Sequence, residues 1–92
     1  MMRRRLVVTG RVQNVFYRAW FVDQARAFGL DGWVRNRADG SVEAVVQGPA
    51  EMVEAIVARA REGSPASRVA EVAVTDDAPA ETLQGFEQRP TL

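Results

Sequence analysis

A chain of 92 residues with twelve basic and twelve acidic side chains is long enough to fold as one domain, and zero net charge gives no general pull toward nucleic acid or an anionic membrane. It contains no cysteine, histidine or lysine. That removes disulfides, zinc–thiolate sites, imidazole bases, serine triads, Schiff bases and lysine-bearing phosphate loops, and leaves arginine, amides, carboxylates and backbone N–H groups for any chemistry.

The chain opens with Met1-Met2-Arg3-Arg4-Arg5, whose arginines read as a solvated lead-in. The apolar run that follows, Leu6–Thr9, is four residues long. It is too short for a signal peptide or a membrane span, so a cytoplasmic protein is expected. Leu6–Thr9 predicts a first strand. From Arg18 to Phe28 the residues Phe21, Val22, Ala25 and Phe28 recur at helical spacing, with Asp23, Gln24 and Arg26 on the other face. Gly29 fits the left-handed position that ends such a helix.

Gly32–Arg37 and Val42–Gln47 predict a second and a third strand, joined through Asp39-Gly40, a strong hairpin signal. Pro49 suits the first position of a second helix, whose buried stripe is Met52, Val53, Ile56, Val57 and Ala60. Glu51 and Glu54 lie near its start, Arg59 and Arg61 near its end, and Gly63 stops it. A loop, GSPAS (63–67), leads to a fourth strand through Val69, Val72 and Val74. DDAPAET (76–82) is a polar connection, and Phe86–Arg89 adds a short last strand.

The order β-α-β-β-α-β, with the short extra C-terminal strand, predicts an α+β fold, the ferredoxin-like sandwich with two helices on one face of an antiparallel sheet. A right-handed crossover makes strands one and two parallel, with strand three between them. The loop Gly10–Phe16 and the end of strand two, Arg35-Asn36-Arg37, then become neighbours at one sheet edge.

That edge holds the residues able to do chemistry. The loop joins a strand to a helix N-terminus, so its free N–H groups can converge on an anion. Arg18, in the first helical turn, tilts back over the same loop and offers a planar fork of donors. A surface ion pair is the plain alternative for such an arginine. Asn36 can orient a water through its amide carbonyl, or serve only as a turn residue before Asp39-Gly40. Asp39 reads as turn chemistry, Glu43 as a solvent-facing strand residue, and Trp33 as an exposed strand aromatic.

GRVQNVFYR (10–18) and GWVRNRADGSVE (32–43), taken in order, resemble the signature stretches of the acylphosphatase family, G-x-V-Q-G-V-x-F-R and G-W-V-x-N-x-x-D-G-x-V-E. SPASRV (64–69) and Phe86-Glu87-Gln88-Arg89 extend the similarity over essentially the whole chain, residues 1–92, as a single domain. The resemblance implies hydrolysis of the carboxyl–phosphate bond of small acyl phosphates, without cofactor or metal. It implies a phosphate-binding loop of Gly10, Arg11, Val12, Gln13, Asn14, Val15 and Phe16, with Arg18 as the essential phosphate-binding arginine and Asn36 positioning the attacking water. The implied partners are the acyl phosphate and inorganic phosphate, with no nucleic acid or membrane, and the chain is expected to be a monomer.

Two residues depart from the family pattern. Asn14 stands where a glycine is usual, and asparagine tolerates positive φ best among the other residues. Tyr17 replaces a phenylalanine, a mild change if its hydroxyl finds a partner. Two rival readings are an RNA-recognition module, which shares this fold but stacks bases on exposed sheet aromatics, and a non-catalytic anion-binding module.

Overall fold

The computed structural model describes residues 1–92. Its elements are β1 (Met2–Arg11), α1 (Tyr17–Ala27), β2 (Asp31–Asn36), β3 (Val42–Gly48), α2 (Ala50–Glu62), β4 (Arg68–Thr75) and β5 (Phe86–Gln88). They form one five-stranded sheet in the order β4-β1-β3-β2-β5. β3 pairs antiparallel with both β1 and β2, so those two strands run the same way and end at the same edge. β5 pairs parallel with β2, which makes the sheet mixed rather than purely antiparallel. The ferredoxin-like arrangement of two helices on one face is present.

The helical face carries the main core. Leu6 and Val8 of β1, Val34 of β2, and Val42, Ala44 and Val46 of β3 meet Phe21, Val22 and Ala25 of α1 and Val53, Ile56 and Ala60 of α2. The expected stripes are therefore largely those observed, with Phe28, Met52 and Val57 at the half-buried margin. Burying one such large side chain stabilises the fold by about 1.5–3 kcal/mol.

Both helices stop where expected. Gly29, at φ 69°, donates its N–H to the Arg26 carbonyl while Leu30 donates to Ala25, which satisfies carbonyls the helix end would leave open. Pro49 precedes the first helical residue of α2 instead of occupying that position, and its carbonyl accepts from Met52 and Val53 at 2.9 and 3.0 Å.

Three expectations about the sheet fail. The connection from β4 to β5 joins opposite edges of the sheet and so crosses its outer face. Trp33 is only 1% exposed. It packs with Val45, Leu83 and Ala78, donates its indole N–H to Glu81 at 3.0 Å, and has the guanidinium groups of Arg35 and Arg89 stacked on its ring at 4.6 and 4.9 Å. Glu43 is buried too, paired to Arg5 at 2.6 Å and to Arg35 at 2.8 Å. Burial alone would raise its carboxyl, but the hydrogen bonds and charges of the two arginines outweigh that and hold it below the usual carboxylate range. Arg3–Arg5 are no lead-in, since β1 begins at Met2 and pairs with β3 as far as Gly48. Arg3 reaches Gln47 and the Pro79 carbonyl, both at 2.7 Å.

Candidate active site

Strand β1 ends under tight backbone constraint. Gly10 has φ 114°, and a Cβ there would collide with the Arg68 carbonyl and the Ala70 nitrogen. The β1–β4 register shifts between Thr9 and Gly10, a bulge of the kind that re-aims a chain beside a site. Gly10 and Arg11 thus complete the strand, and the loop proper runs from Val12 to Phe16. Arg11 is exposed and faces Arg68 across the ladder.

Val12 and Val15 bury their side chains in the core and pin the loop down. Asn14 and Phe16 both sit at φ 62°. Asn14 meets expectation. Phe16 does not, since a bulky side chain there is an outlier in conformational terms. The Gln13 side chain turns away from the loop and donates Nε2 to the carbonyls of Arg37 and Ser41, each at 2.8 Å. It ties the loop to the β2–β3 hairpin, where Asp39 accepts from the Ser41 N–H at 2.9 Å and hydroxyl at 2.6 Å. Those two hydrogen bonds chiefly lower the Asp39 carboxyl.

As a result, no backbone N–H from Val12 to Ala19 donates to any acceptor within the protein. Buried donors are almost always satisfied, so an unbroken run of free ones marks a place for an external acceptor. Helix α1 adds to this. It has no side-chain cap and no acidic residue in its first turn, which leaves its positive end unopposed. Its start is held in place by Tyr17, whose buried hydroxyl donates to the Ala60 carbonyl at 2.9 Å in the last turn of α2. Burial pushes that phenol well above its ordinary range, so it stays a donor.

Arg18 is half-buried and makes no ion pair or hydrogen bond within the protein. It lines a cleft of about 370 Å³ with Val12, Asn14 and Phe16 of the loop, Ala19 of α1 and Gln88 of β5. Gln88 pairs with Val34, two residues before Asn36. Asn36 is not part of the cleft wall. It lies buried at the end of β2, and its Oδ1 has no hydrogen-bond partner. Its backbone carbonyl accepts from Leu92, and the Leu92 carbonyl accepts from Ala38. An array of free N–H groups beside an unpaired guanidinium can bind a tetrahedral anion, and the buried Asn36 Oδ1, at the end of β2, has room in its hydrogen bonding for one further donor.

Sequence reasoning missed Gln88 as a wall of the cleft and Gln13 as a tie. Gln88 carries no signal apart from its place in the ending Phe86–Arg89. The strand register alone brings it to the loop.

Comparisons with known proteins converge on one family. The family model described as Acylphosphatase matches residues 4–88. An acylphosphatase of Rhizorhabdus wittichii is 61% identical over 89 residues, covering 97% of this chain and 89% of that protein. Among solved structures, the acylphosphatase from Bacillus subtilis superposes with a TM-score of 0.91 at 36% identity, covering 97% of this chain and 99% of that one. The acylphosphatase from Coxiella burnetii gives 0.89 at 30% identity, with 96% and 92% covered.

Proposed function

Since this chain belongs to the acylphosphatase family and hydrolyses acyl phosphates to a carboxylate and inorganic phosphate, we propose that residues 10–16 and Arg18 bind the phosphoryl group while Asn36 positions the attacking water. The observation that carries this assignment is the run of unsatisfied N–H groups from Val12 to Ala19 beside an arginine without an ion pair.

An acyl phosphate is a mixed anhydride whose leaving group is a carboxylate, with a pKa of about 4. Such a group departs at neutral pH unprotonated, so no general acid is required of a chain that has no histidine. Phosphoryl transfer passes through a loose transition state, and catalysis is then mainly positioning and charge stabilisation. The N–H array and the Arg18 guanidinium hold the equatorial oxygens, where negative charge is spread. The Asn36 carbonyl, with no protein partner for its oxygen, accepts a hydrogen bond from the water and aims its lone pair at phosphorus. The Gln13 tie sets the distance between these two halves.

The same proposal includes metal-independent turnover. It is supported by the donor set, since nowhere do three carboxylate, histidine or cysteine side chains gather. Residues 1–92 work as one monomeric, cytoplasmic domain on a small-molecule acyl phosphate. Nucleic acid and membranes are not among its partners. The burial of Trp33 beneath Leu83 supports this against the base-stacking reading.

A titration with inorganic phosphate followed by amide NMR tests the assignment. Shifts concentrated on the N–H groups of 12–19 and on the Arg18 side chain are expected. Shifts centred elsewhere reject the loop as the binding site. Hydrolysis undiminished in excess EDTA is expected, and loss restored by magnesium would reject the metal-independent mechanism.

A further inference from the structure

Phe16 is 84% exposed and sits in the left-handed region at φ 62°, ψ 21°, immediately before α1. Glycine or asparagine would adopt that backbone more readily. The fold uses only its carbonyl, which accepts from the Trp20 N–H at 3.1 Å. The ring joins no core cluster and pairs with no other aromatic ring. Phe16 lines the cleft that holds Arg18, and its ring is free there.

The substrate has a fixed shape at this point. If the phosphoryl group lies on the N–H array, the acyl carbon is one bridging oxygen away and must leave on the open side. Val12 and Tyr17 line the cleft but are each 1% exposed, so they offer an acyl group almost no surface. Ala19 is small. The Phe16 ring is therefore the one large apolar surface at the mouth.

We propose that Phe16 is the acyl-recognition residue, and that its ring gives this enzyme a preference for acyl phosphates with an aromatic or extended apolar acyl group over those with a small one. The proposal rests on the loop being the phosphate site. Two flat apolar groups in offset contact gain area burial together with a favourable ring–ring geometry, enough for about a tenfold effect on kcat/KM.

The experiment compares benzoyl phosphate with acetyl phosphate for wild type, Phe16→Asn and Phe16→Tyr, with competitive inhibition by inorganic phosphate measured in each. Asparagine suits the positive φ, so the loop keeps its course while the ring is lost. In Phe16→Asn, any loss common to both substrates and to phosphate inhibition reports a disturbed loop. Benzoyl phosphate is expected to fall about tenfold further than acetyl phosphate, mainly through KM. Phe16→Tyr, which keeps a ring, is expected to keep the wild-type preference. An unchanged ratio of the two substrates in Phe16→Asn overturns the proposal while leaving the phosphate site standing. Absence of phosphate inhibition in wild type overturns the site itself and the role of Phe16 with it.

Discussion

Gln13 spans the gap between the loop and the hairpin, its Nε2 lying 2.8 Å from the Arg37 carbonyl, the residue next to Asn36. Both carbonyls it serves keep another donor, since Gly40 donates to Arg37 and Arg37 to Ser41. Gln13→Ala therefore orphans nothing and is expected to cost only about 1 kcal/mol of stability. It frees the loop to drift relative to Asn36, and a small misplacement of that kind lowers turnover by up to about 10²-fold. The expected outcome is a kcat loss far larger than the drop in melting temperature suggests. If kcat holds at the wild-type level, the tie does not set the geometry.

Asn14 at φ 62° makes the loop a test of backbone conformation. Asn14→Gly is expected to retain fold and activity, because glycine adopts this region at no steric penalty. Asn14→Val places a β-branched residue there, with a strain of about 1–3 kcal/mol. Urea unfolding and steady-state kinetics of the two variants should differ clearly. Matching curves would place Asn14 outside the left-handed region in solution.

The elements and the site edge were legible because their signals are local. Helical spacing around Phe21, the Asp39-Gly40 turn and the glycine after Phe28 each act within a few residues, and the crossover rule then brings the hairpin after β2 to the loop, where Gln13 meets Arg37 and Ser41. Glu43 and Arg3–Arg5 were misread because β1 begins at Met2 and sets Arg5 against Glu43, and Trp33 because its surroundings depend on the chain from Thr75 to Phe86. That segment crosses the outer face and brings Glu81 and Leu83 onto Trp33. No spacing within β2 or β3 announces it. The positive φ of Phe16 is hidden for a different reason, since propensity argues against it and only the loop's closure imposes it.

Glu43, held between Arg5 and Arg35, makes stability depend on pH with a definite sign. Its folded pKa is depressed, so the contribution is complete above the unfolded value, about 4.3, and is lost as pH falls through the folded value. Glu43→Gln leaves two half-buried guanidinium groups without their counter-charge, and at pH 7 is expected to cost about 2 kcal/mol. At a pH below its depressed folded value, wild type also becomes neutral at this position, so the gap between the two proteins should narrow. Melting curves at the two pH values decide the matter. An equal gap at both would mean that packing, and not charge, is what Glu43 supplies.

Arg18 and Asn36 should fail in different ways when removed. On the proposed assignment Arg18 holds the phosphoryl group in ground and transition states alike, so Arg18→Gln is expected to weaken inhibition by inorganic phosphate and to lower kcat together. On the same assignment Asn36 would touch the water alone, so Asn36→Ala is expected to lower kcat by about 10²–10³, equivalent to about 3–4 kcal/mol, with KM and phosphate inhibition nearly unchanged. Stability offers a second distinction. The Arg18 guanidinium has no protein partner to lose, and the Asn36 Oδ1 has none either. Neither truncation breaks a side-chain hydrogen bond or ion pair, and removing a buried unsatisfied carbonyl can offset the packing lost in Asn36→Ala. A variant that melts no earlier than wild type yet has lost most of its turnover marks a group kept for the reaction and not for the fold. An Asn36→Ala protein that retains most of its kcat, or changes chiefly in KM, would remove the water-positioning role and leave the loop with Arg18 as the whole of the catalytic apparatus.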